Sequence, residues 1–324
     1  MKLTKHSLVF TAALATTLLS TSSAMAADVK VTPLGSMDGE FCQLDRAMIF
    51  EDPDGTRLLY DAGRTVAGPE DKRLGKIDAV LVSHMHGDHV GDKHISASGK
   101  GACGDTKFPV NALPHTNSVS IAHAKGAKII TGSEMPKFFA TKLKALGGDP
   151  KNSQLVRFGA SRKVGGITIT TVPAAHSNGI SGHMIGGDLG KMLNASGLTA
   201  YAGPPTGYVL TFSNGLVAYL SGDTGITAEQ KTVVGDHYKA KLVVINIGDT
   251  FTTGPKEAAW VVNDLIKPVS VIVSHANQPS TSGGKLIEGT RAAQFKKLSK
   301  ADVHLPLSGR TMSFDGKGKC TSGC

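Results

Sequence analysis

The chain has 324 residues, of which 40% are hydrophobic and 19% are charged, a balance that excludes a disordered protein and supports a folded core. Its formal net charge is +9, but Lys and Arg are scattered and no stripe of basic and aromatic residues is visible, which disfavours a nucleic-acid partner. Aromatic residues make up 5% of the chain and glycine occupies 39 positions, so a loop-rich α/β or β-sandwich protein is favoured over a helical bundle.

The amino terminus has the pattern of a secretory signal peptide. Lys2 and Lys5 precede an apolar stretch that is too short for a membrane span, and Ala24 and Ala26 fit the small-x-small pattern of a cleavage site. No later stretch is apolar enough to cross a bilayer. We therefore expect a signal peptide over 1–26, a mature domain over 27–324 without a membrane span, and a periplasmic or secreted location.

Export would place the cysteines in an oxidising compartment, where disulfides form. The chain has four of them: Cys42, Cys103, Cys320 and Cys324. Four cysteines allow three pairings, and the sequence does not choose among them, although Cys320 and Cys324 are close enough to pair locally.

Short apolar runs alternate with helical patterns along the chain. The short runs, rich in β-branched residues, predict strands at Leu58–Tyr60, Ala79–Val82, Ile167–Val172, Tyr208–Phe212, Leu216–Leu220, Leu242–Ile247 and Val269–Val273. Helical spacing predicts helices near 117–125, 134–146, 227–239, 255–266 and 289–299. Between these elements, residues 93–116 and 177–206 look like long loops, which often line a site. No linker divides the chain, so we expect a single α/β domain.

Four candidate metal ligands, His84, His86, Asp88 and His89, follow directly after the predicted strand at 79–82. On extended backbone, residues two apart face the same way. His84 and His86 can therefore share one cation, while Asp88 and His89 turn towards a second. A cluster of histidines this dense would repel itself without a metal, so a plain solvated loop is the weaker interpretation.

Three further candidate ligands repeat this placement. His176, Asp223 and His275 each lie in the first polar loop after a predicted strand. Loops at one edge of a sheet converge, which is how a rigid scaffold assembles a site from distant parts of a chain. The sequence therefore predicts that these residues join the histidine cluster.

The order of these residues resembles that of the metallo-β-lactamase superfamily. The His-x-His-x-Asp-His run at 84–89, followed by His176, Asp223 and His275, carries the resemblance, which implies an αββα sandwich. Asp61 matches an early Asp of the superfamily that supports the site.

Three further motifs narrow the resemblance. The segments at 173–179, 221–225 and 247–255 are similar to those of the branch that includes the L-ascorbate-6-phosphate lactonases. Within the last of them, Asp249 is interpreted as a structural residue.

The resemblance implies a two-metal hydrolase. One metal would be held by His84, His86 and His176, the other by Asp88, His89 and His275, with Asp223 bridging the two. Zinc is the cation we expect in this histidine-rich set, and manganese or iron are alternatives. A metal-bound hydroxide would attack an ester, lactone or phosphoester, and Asp88 is the candidate catalytic residue that orients it and takes its proton.

Two other functions are compatible with the same candidate ligands. The alternatives are a β-lactamase, which export would suit, and a binding protein that uses the metal site without turnover. The absence of Gly-x-Ser-x-Gly argues against a serine hydrolase. We expect a small-molecule substrate, with an anionic one as an option, and leave the oligomeric state open.

Overall fold

The structure is a computed structural model that describes Met1, Thr4 and residues 27–324. The predicted signal peptide at 1–26 therefore lies outside the described residues, apart from Met1 and Thr4. The predicted mature domain lies within them.

Two large sheets form the centre of the fold. Sheet I has eight strands, in the spatial order Cys320–Ser322, Met312–Phe314, Val29–Pro33, Met48–Glu51, Arg57–Tyr60, Ala79–Leu81, Lys128–Thr131 and Ser153–Leu155. Sheet II has seven strands, in the order Asp302–His304, Ser270–Ser274, Leu242–Asn246, Val217–Leu220, Thr206–Thr211, Ile167–Pro173 and Ser161–Val164. Each sheet joins an antiparallel meander to a run of parallel strands.

The remaining elements cover and connect these sheets. Three two-stranded hairpins pair Lys93–His94 with Val110–Asn111, Gly179–Ile180 with Ala200–Tyr201, and Thr281–Ser282 with Lys285–Leu286. The α-helices are Gly87–Val90, Asn117–Lys125, Met135–Ala145, Gly182–Ile185, Gly187–Ala195, Pro255–Trp260 and Arg291–Leu298. A 3-10 turn spans Pro150–Asn152, and π-helical segments span Gln230–His237 and Val261–Ile266.

Strand alternation divides the apolar residues into layers. Leu58 and Tyr60 point into a central core between the two sheets, whereas Leu59 points outwards into a second core beneath the helices at 117–125 and 135–145. A third core packs the outer face of sheet II against the helices nearer the carboxyl terminus. The result is an αββα sandwich in a single domain, which confirms the predicted fold class.

Two long segments predicted as loops differ in their structure. Residues 177–206 contain the helices Gly182–Ile185 and Gly187–Ala195, so their interpretation as a plain loop was wrong. The Ser181 side chain caps the first of these helices by accepting a hydrogen bond from the backbone N–H of His183. Residues 93–116 are largely irregular apart from one short hairpin.

The cysteines form two disulfides. Cys42 pairs with Cys103, with their Cα atoms 5.4 Å apart, and the bond fastens the irregular 93–116 segment to the loop that follows the first strand. Cys320 pairs with Cys324. Among the residues that the structure describes, no helix is both long and apolar enough to span a membrane.

Tyr208 ties the two sheets together next to the strand that carries the histidine cluster. Its side chain is fully buried, and its hydroxyl lies 2.7 Å from the carbonyl oxygen of Val82 and 3.0 Å from that of Ile130. We expect Tyr208→Phe to lower the free energy of unfolding by about 1–2 kcal/mol, because a buried hydrogen bond is lost. Urea denaturation measures the change.

The matched control is Tyr201→Phe, since the Tyr201 side chain is 78% exposed. This variant should unfold at the wild-type urea concentration. Equal stability of the two variants would contradict the role given to the Tyr208 hydroxyl.

Candidate metal centre

All seven predicted ligands follow the carboxyl ends of strands that open onto one edge of the sandwich. The preceding strands are Ala79–Leu81 for the cluster at 84–89, Ile167–Pro173 for His176, Val217–Leu220 for Asp223 and Ser270–Ser274 for His275. The three strands of sheet II run in the same direction. Parallel alignment therefore brings together side chains that are far apart in the sequence.

The structure gathers the seven ligands into overlapping groups, in each of which the donor atoms lie within 4.8 Å of one another. The groups are His84 with His86 and His176, Asp88 with His89 and His275, and His84 with His89 and Asp223. The first two groups have the same members as the two sets of ligands that the resemblance implies.

Asp223 lies between the two histidine groups. Its Oδ2 is 2.9 Å from Nε2 of His275 and 3.7 Å from Nε2 of His176, and its Oδ1 is 3.3 Å from Nε2 of His89. One carboxylate thus contacts imidazoles from both groups, which is the position that a bridging ligand needs.

Two ring nitrogens of the cluster are available to bind a metal. Among the described residues, the buried Nε2 atoms of His84 and His89 have no hydrogen-bond partner. A buried polar atom without a partner is unfavourable, and a cation would satisfy it. The opposite nitrogens are engaged, since Nδ1 of His84 lies 2.9 Å from Oγ of Ser83 and Nδ1 of His89 lies 2.8 Å from Oδ2 of Asp61. A His and carboxylate donor set of this kind suits zinc.

Asp61 orients both of these histidines. Its carboxylate accepts hydrogen bonds from the backbone N–H of Ser83, the Ser83 hydroxyl and Nδ1 of His89. Because the Ser83 hydroxyl donates to Asp61, it is left to accept from Nδ1 of His84. In their neutral forms, both rings therefore carry the proton on Nδ1 and turn an Nε2 lone pair towards the cluster. Asp61 is not itself in any ligand group, as the resemblance implies for a supporting residue.

The charges of the cluster shift the pKa values of its members in opposite directions. Burial alone would lower the pKa of His89, but the carboxylates of Asp223, Asp88 and Asp61 hold it well above its usual value. Burial and the neighbouring His89 depress the pKa of His84. A cation in place of a proton on His89 would face the same three carboxylates, so the electrostatic field of the site favours positive charge.

Arg46 is a site residue that the sequence analysis missed. It is 2% exposed, and its Nε and Nη2 donate to Oδ2 of Asp88 at 3.2 and 3.1 Å, while Nη2 also donates to Asn277. Although burial would raise the pKa of Asp88, His89, His275 and Arg46 hold it well below its usual value. No sequence signal indicates this contact, because 42 residues separate the two partners.

Two cavities meet at the cluster. The larger, of about 580 Å³, is lined by five of the ligands together with Arg46, Arg64 and Arg291. The smaller, of about 380 Å³, is lined by apolar residues such as Met85, Leu113 and Met184. His86 and Ser177 line both cavities, so the two spaces meet beside the predicted ligand His86.

Asp249 and His183 lie around the cavities and outside the ligand groups. Asp249 is exposed, has a φ of +45° and lines the larger cavity. His183 is exposed in the helical segment and lines the smaller one.

Comparison with known proteins agrees with this fold. Residues 56–275 match the model of the beta-lactamase superfamily domain, so the chain belongs to the β-lactamase superfamily. A UPF0173 metal-dependent hydrolase of Cupriavidus necator is 32% identical over 247 residues, which cover 74% of this chain and 71% of the relative. Within the superfamily, the chain is therefore a member of the UPF0173 metal-dependent hydrolase family.

Solved structures share the architecture. Igni18, described as a novel metallo hydrolase from the archaeon Ignicoccus hospitalis, superposes with a TM-score of 0.58 at 21% identity, covering 89% of this chain and 99% of that protein. The metallo-β-lactamase fold protein YhfI from Bacillus subtilis superposes with a TM-score of 0.54 at 15% identity, covering 88% and 99%. The resemblance to L-ascorbate-6-phosphate lactonases stays a prediction.

Replacing the Asp61 carboxylate should weaken metal binding without removing a ligand. In Asp61→Asn an amide nitrogen would face groups that now donate to the carboxylate, and asparagine tolerates the positive φ of 41° at this position. We expect the affinity for zinc to fall by roughly 10–100-fold, measured by competition with a chromophoric chelator.

Asp188→Asn is the control, because it removes the same charge from a side chain that is 95% exposed. Its zinc affinity should equal that of the wild type. Unchanged zinc affinity in Asp61→Asn would refute the orienting role of Asp61.

Proposed function

We propose that this protein binds two divalent cations and hydrolyses an ester, lactone or phosphoester bond in a small molecule. The observation that carries the proposal is the position of Asp223, whose carboxylate lies within 3.9 Å of imidazole nitrogens from both histidine groups. His84, His86 and His176 would hold one cation, and Asp88, His89 and His275 the other. Zinc suits this set best, and manganese or iron are alternatives.

The cations, when bound, lower the pKa of a water molecule towards neutrality and polarise the bond under attack. The remaining tasks belong to the chain. Oδ2 of Asp88 receives both Arg46 hydrogen bonds and lies 3.5 Å from Nε2 of His275. Oδ1 of Asp88 is free of these contacts and would accept a hydrogen bond from the attacking water. Because His89, His275 and Arg46 hold the pKa of Asp88 well below its usual value, this carboxylate would orient the water and would readily release any proton that it accepts.

The substrate type draws support from the sequence. The segments at 173–179, 221–225 and 247–255 resemble those of the lactonase branch. A lactone is therefore the first substrate class to test, followed by aryl esters and phosphodiesters. The larger cavity, of about 580 Å³, has the size of a small-molecule site.

We also infer that the protein acts outside the cytoplasm, in the periplasm or beyond the cell. The signal-peptide pattern at 1–26 supports export. The pairing of Cys42 with Cys103 and of Cys320 with Cys324 is in keeping with an oxidising compartment. Detection of the processed chain in a periplasmic fraction tests this location, and retention of an unprocessed chain in the cytoplasm would contradict it.

The function is tested with protein that has been stripped of metal and reloaded with zinc, manganese or iron. Hydrolysis is then measured on lactones, aryl esters, phosphodiesters and β-lactams. Metal-dependent opening of a lactone or cleavage of an ester supports the proposal. Opening of β-lactams alone would replace it with a β-lactamase, and tight binding of a compound that is recovered unchanged would indicate a binding protein.

Asp223→Ala should lose bound metal and hydrolysis together, because both histidine groups depend on this carboxylate. The loss of metal affinity should exceed the roughly 10–100-fold that follows from loss of an outer partner. Elemental analysis and the hydrolysis assay measure the two effects, and circular dichroism checks the fold.

The matched control is Asp249→Asn, in the second Gly-Asp-Thr of the chain, because Asp249 lies outside the ligand groups. This variant should keep its full metal content. If Asp223→Ala retained metal and full hydrolysis, the two-metal proposal would fail.

A further inference from the structure

Arg291 differs from the two other guanidinium groups that line the larger cavity. Arg46 is ion-paired with Asp88, and Arg64 is ion-paired with Asp92. Within the described part of the chain, Arg291 has no carboxylate at ion-pairing distance, and its partners are a carbonyl and an amide oxygen. Its positive charge is therefore not compensated by the protein.

The geometry of Arg291 leaves one edge of the guanidinium free. Nη1 donates to the carbonyl oxygen of Ala276 and to Oε1 of Gln278, each at 3.1 Å. Nε and Nη2 have no acceptor among the residues described. Arg64 uses the same edge to bind Asp92, with Nε 2.7 Å from Oδ1 and Nη2 2.9 Å from Oδ2. This edge of a guanidinium can donate two parallel hydrogen bonds to a carboxylate or a phosphate.

The position of Arg291 in the chain is unfavourable for a cation. It is the first residue of the helix Arg291–Leu298, where the helix dipole favours negative charge. Its anchor, Ala276, directly follows the ligand His275, so the guanidinium is held at a set position relative to the cluster. Bound cations would add further positive charge nearby. An anion between these charges would relieve the repulsion.

We propose that the Nε–Nη2 edge of Arg291 binds an anionic group of the substrate, a carboxylate or a phosphate, while the bond to be cleaved lies at the metal ligands. The proposal rests on the hydrolase function above and deepens it, because it makes the substrate an acid. The smaller cavity does not fit the anionic group, since its described lining contains no Lys or Arg and includes Asp92. The anionic group therefore lies in the larger cavity, and apolar parts of the substrate lie towards Met85 and Met184.

Hydroxamates test this inference without turnover, because they bind zinc directly. The probes are monohydroxamates of straight-chain dicarboxylic acids of increasing length, each paired with the neutral alkyl hydroxamate of equal length. Calorimetry on the zinc-loaded protein gives both affinities. At the matching chain length we expect the carboxylate to improve binding by roughly tenfold. Arg291→Gln should abolish this preference and leave the affinity for the neutral probe unchanged.

Two further variants sharpen the test. Arg291→Lys keeps the charge but lacks the planar guanidinium edge that donates two parallel hydrogen bonds. It should therefore retain only part of the preference for the carboxylate probe. Arg157→Gln is the control for net charge, because Arg157 is exposed and lines neither cavity. Arg157→Gln should keep the wild-type preference for the carboxylate probe. Elemental analysis of each variant confirms equal zinc content.

Three results would overturn the inference. A wild-type protein that binds zinc and both probes equally would refute the anion site while leaving the hydrolase proposal intact. An Arg291→Gln variant that weakens both probes equally would show that Arg291 only supports the loop at 276–278. A wild-type protein that holds no zinc and binds neither probe would end both proposals together.

Discussion

Five imidazoles and two carboxylates, buried or half-buried at one edge of the sandwich, are the constraint on which the rest of the site depends. Such a cluster is unfavourable unless its charges are balanced and its ring nitrogens are oriented. Asp61 provides the orientation through Ser83 and His89, and Arg46 balances Asp88. Much of the buried polar structure around the cleft serves these two tasks.

The two-sheet architecture explains how distant parts of the chain form this cluster. Strand ends in both sheets open onto the same edge, and the predicted ligands lie in the segments that directly follow them. Tyr208, from sheet II, contacts the carbonyl oxygen of Val82, which lies two residues before His84. The position of the first histidine therefore depends on contact between the sheets and not on its own loop alone.

Runs of β-branched residues and the spacing of His and Asp allowed several strands and the predicted metal ligands to be read from the sequence. The strands that precede the predicted ligands, and the residues that meet at the cluster, were readable because burial and metal chemistry leave local patterns. The αββα class followed from the resemblance, and three interior strands of sheet I, Val29–Pro33, Met48–Glu51 and Lys128–Thr131, were not predicted. Short edge strands such as Ser153–Leu155 and Cys320–Ser322 were missed, since neighbouring strands, more than their own residues, impose their conformation. The helices inside 177–206 were not predicted, because the many glycines of this segment have low helix propensity. Arg46 and Arg291 were missed because their contacts exist only in three dimensions.

The Cys42–Cys103 disulfide has a consequence for how the cleft is shaped. It fastens the irregular 93–116 segment next to Gln43 and Leu44, which line the larger cavity. Four of the predicted ligands, His84, His86, Asp88 and His89, lie within the stretch that this bond closes, but they directly follow the strand Ala79–Leu81 of sheet I. We therefore expect reduction of the bond to affect the entrance of the cavity more than the ligand cluster. Without this bond, the 93–116 segment would lose its covalent attachment at Cys103 and the entrance to the larger cavity would become more mobile. The redox state of the surroundings would thus influence which molecules can enter this cavity.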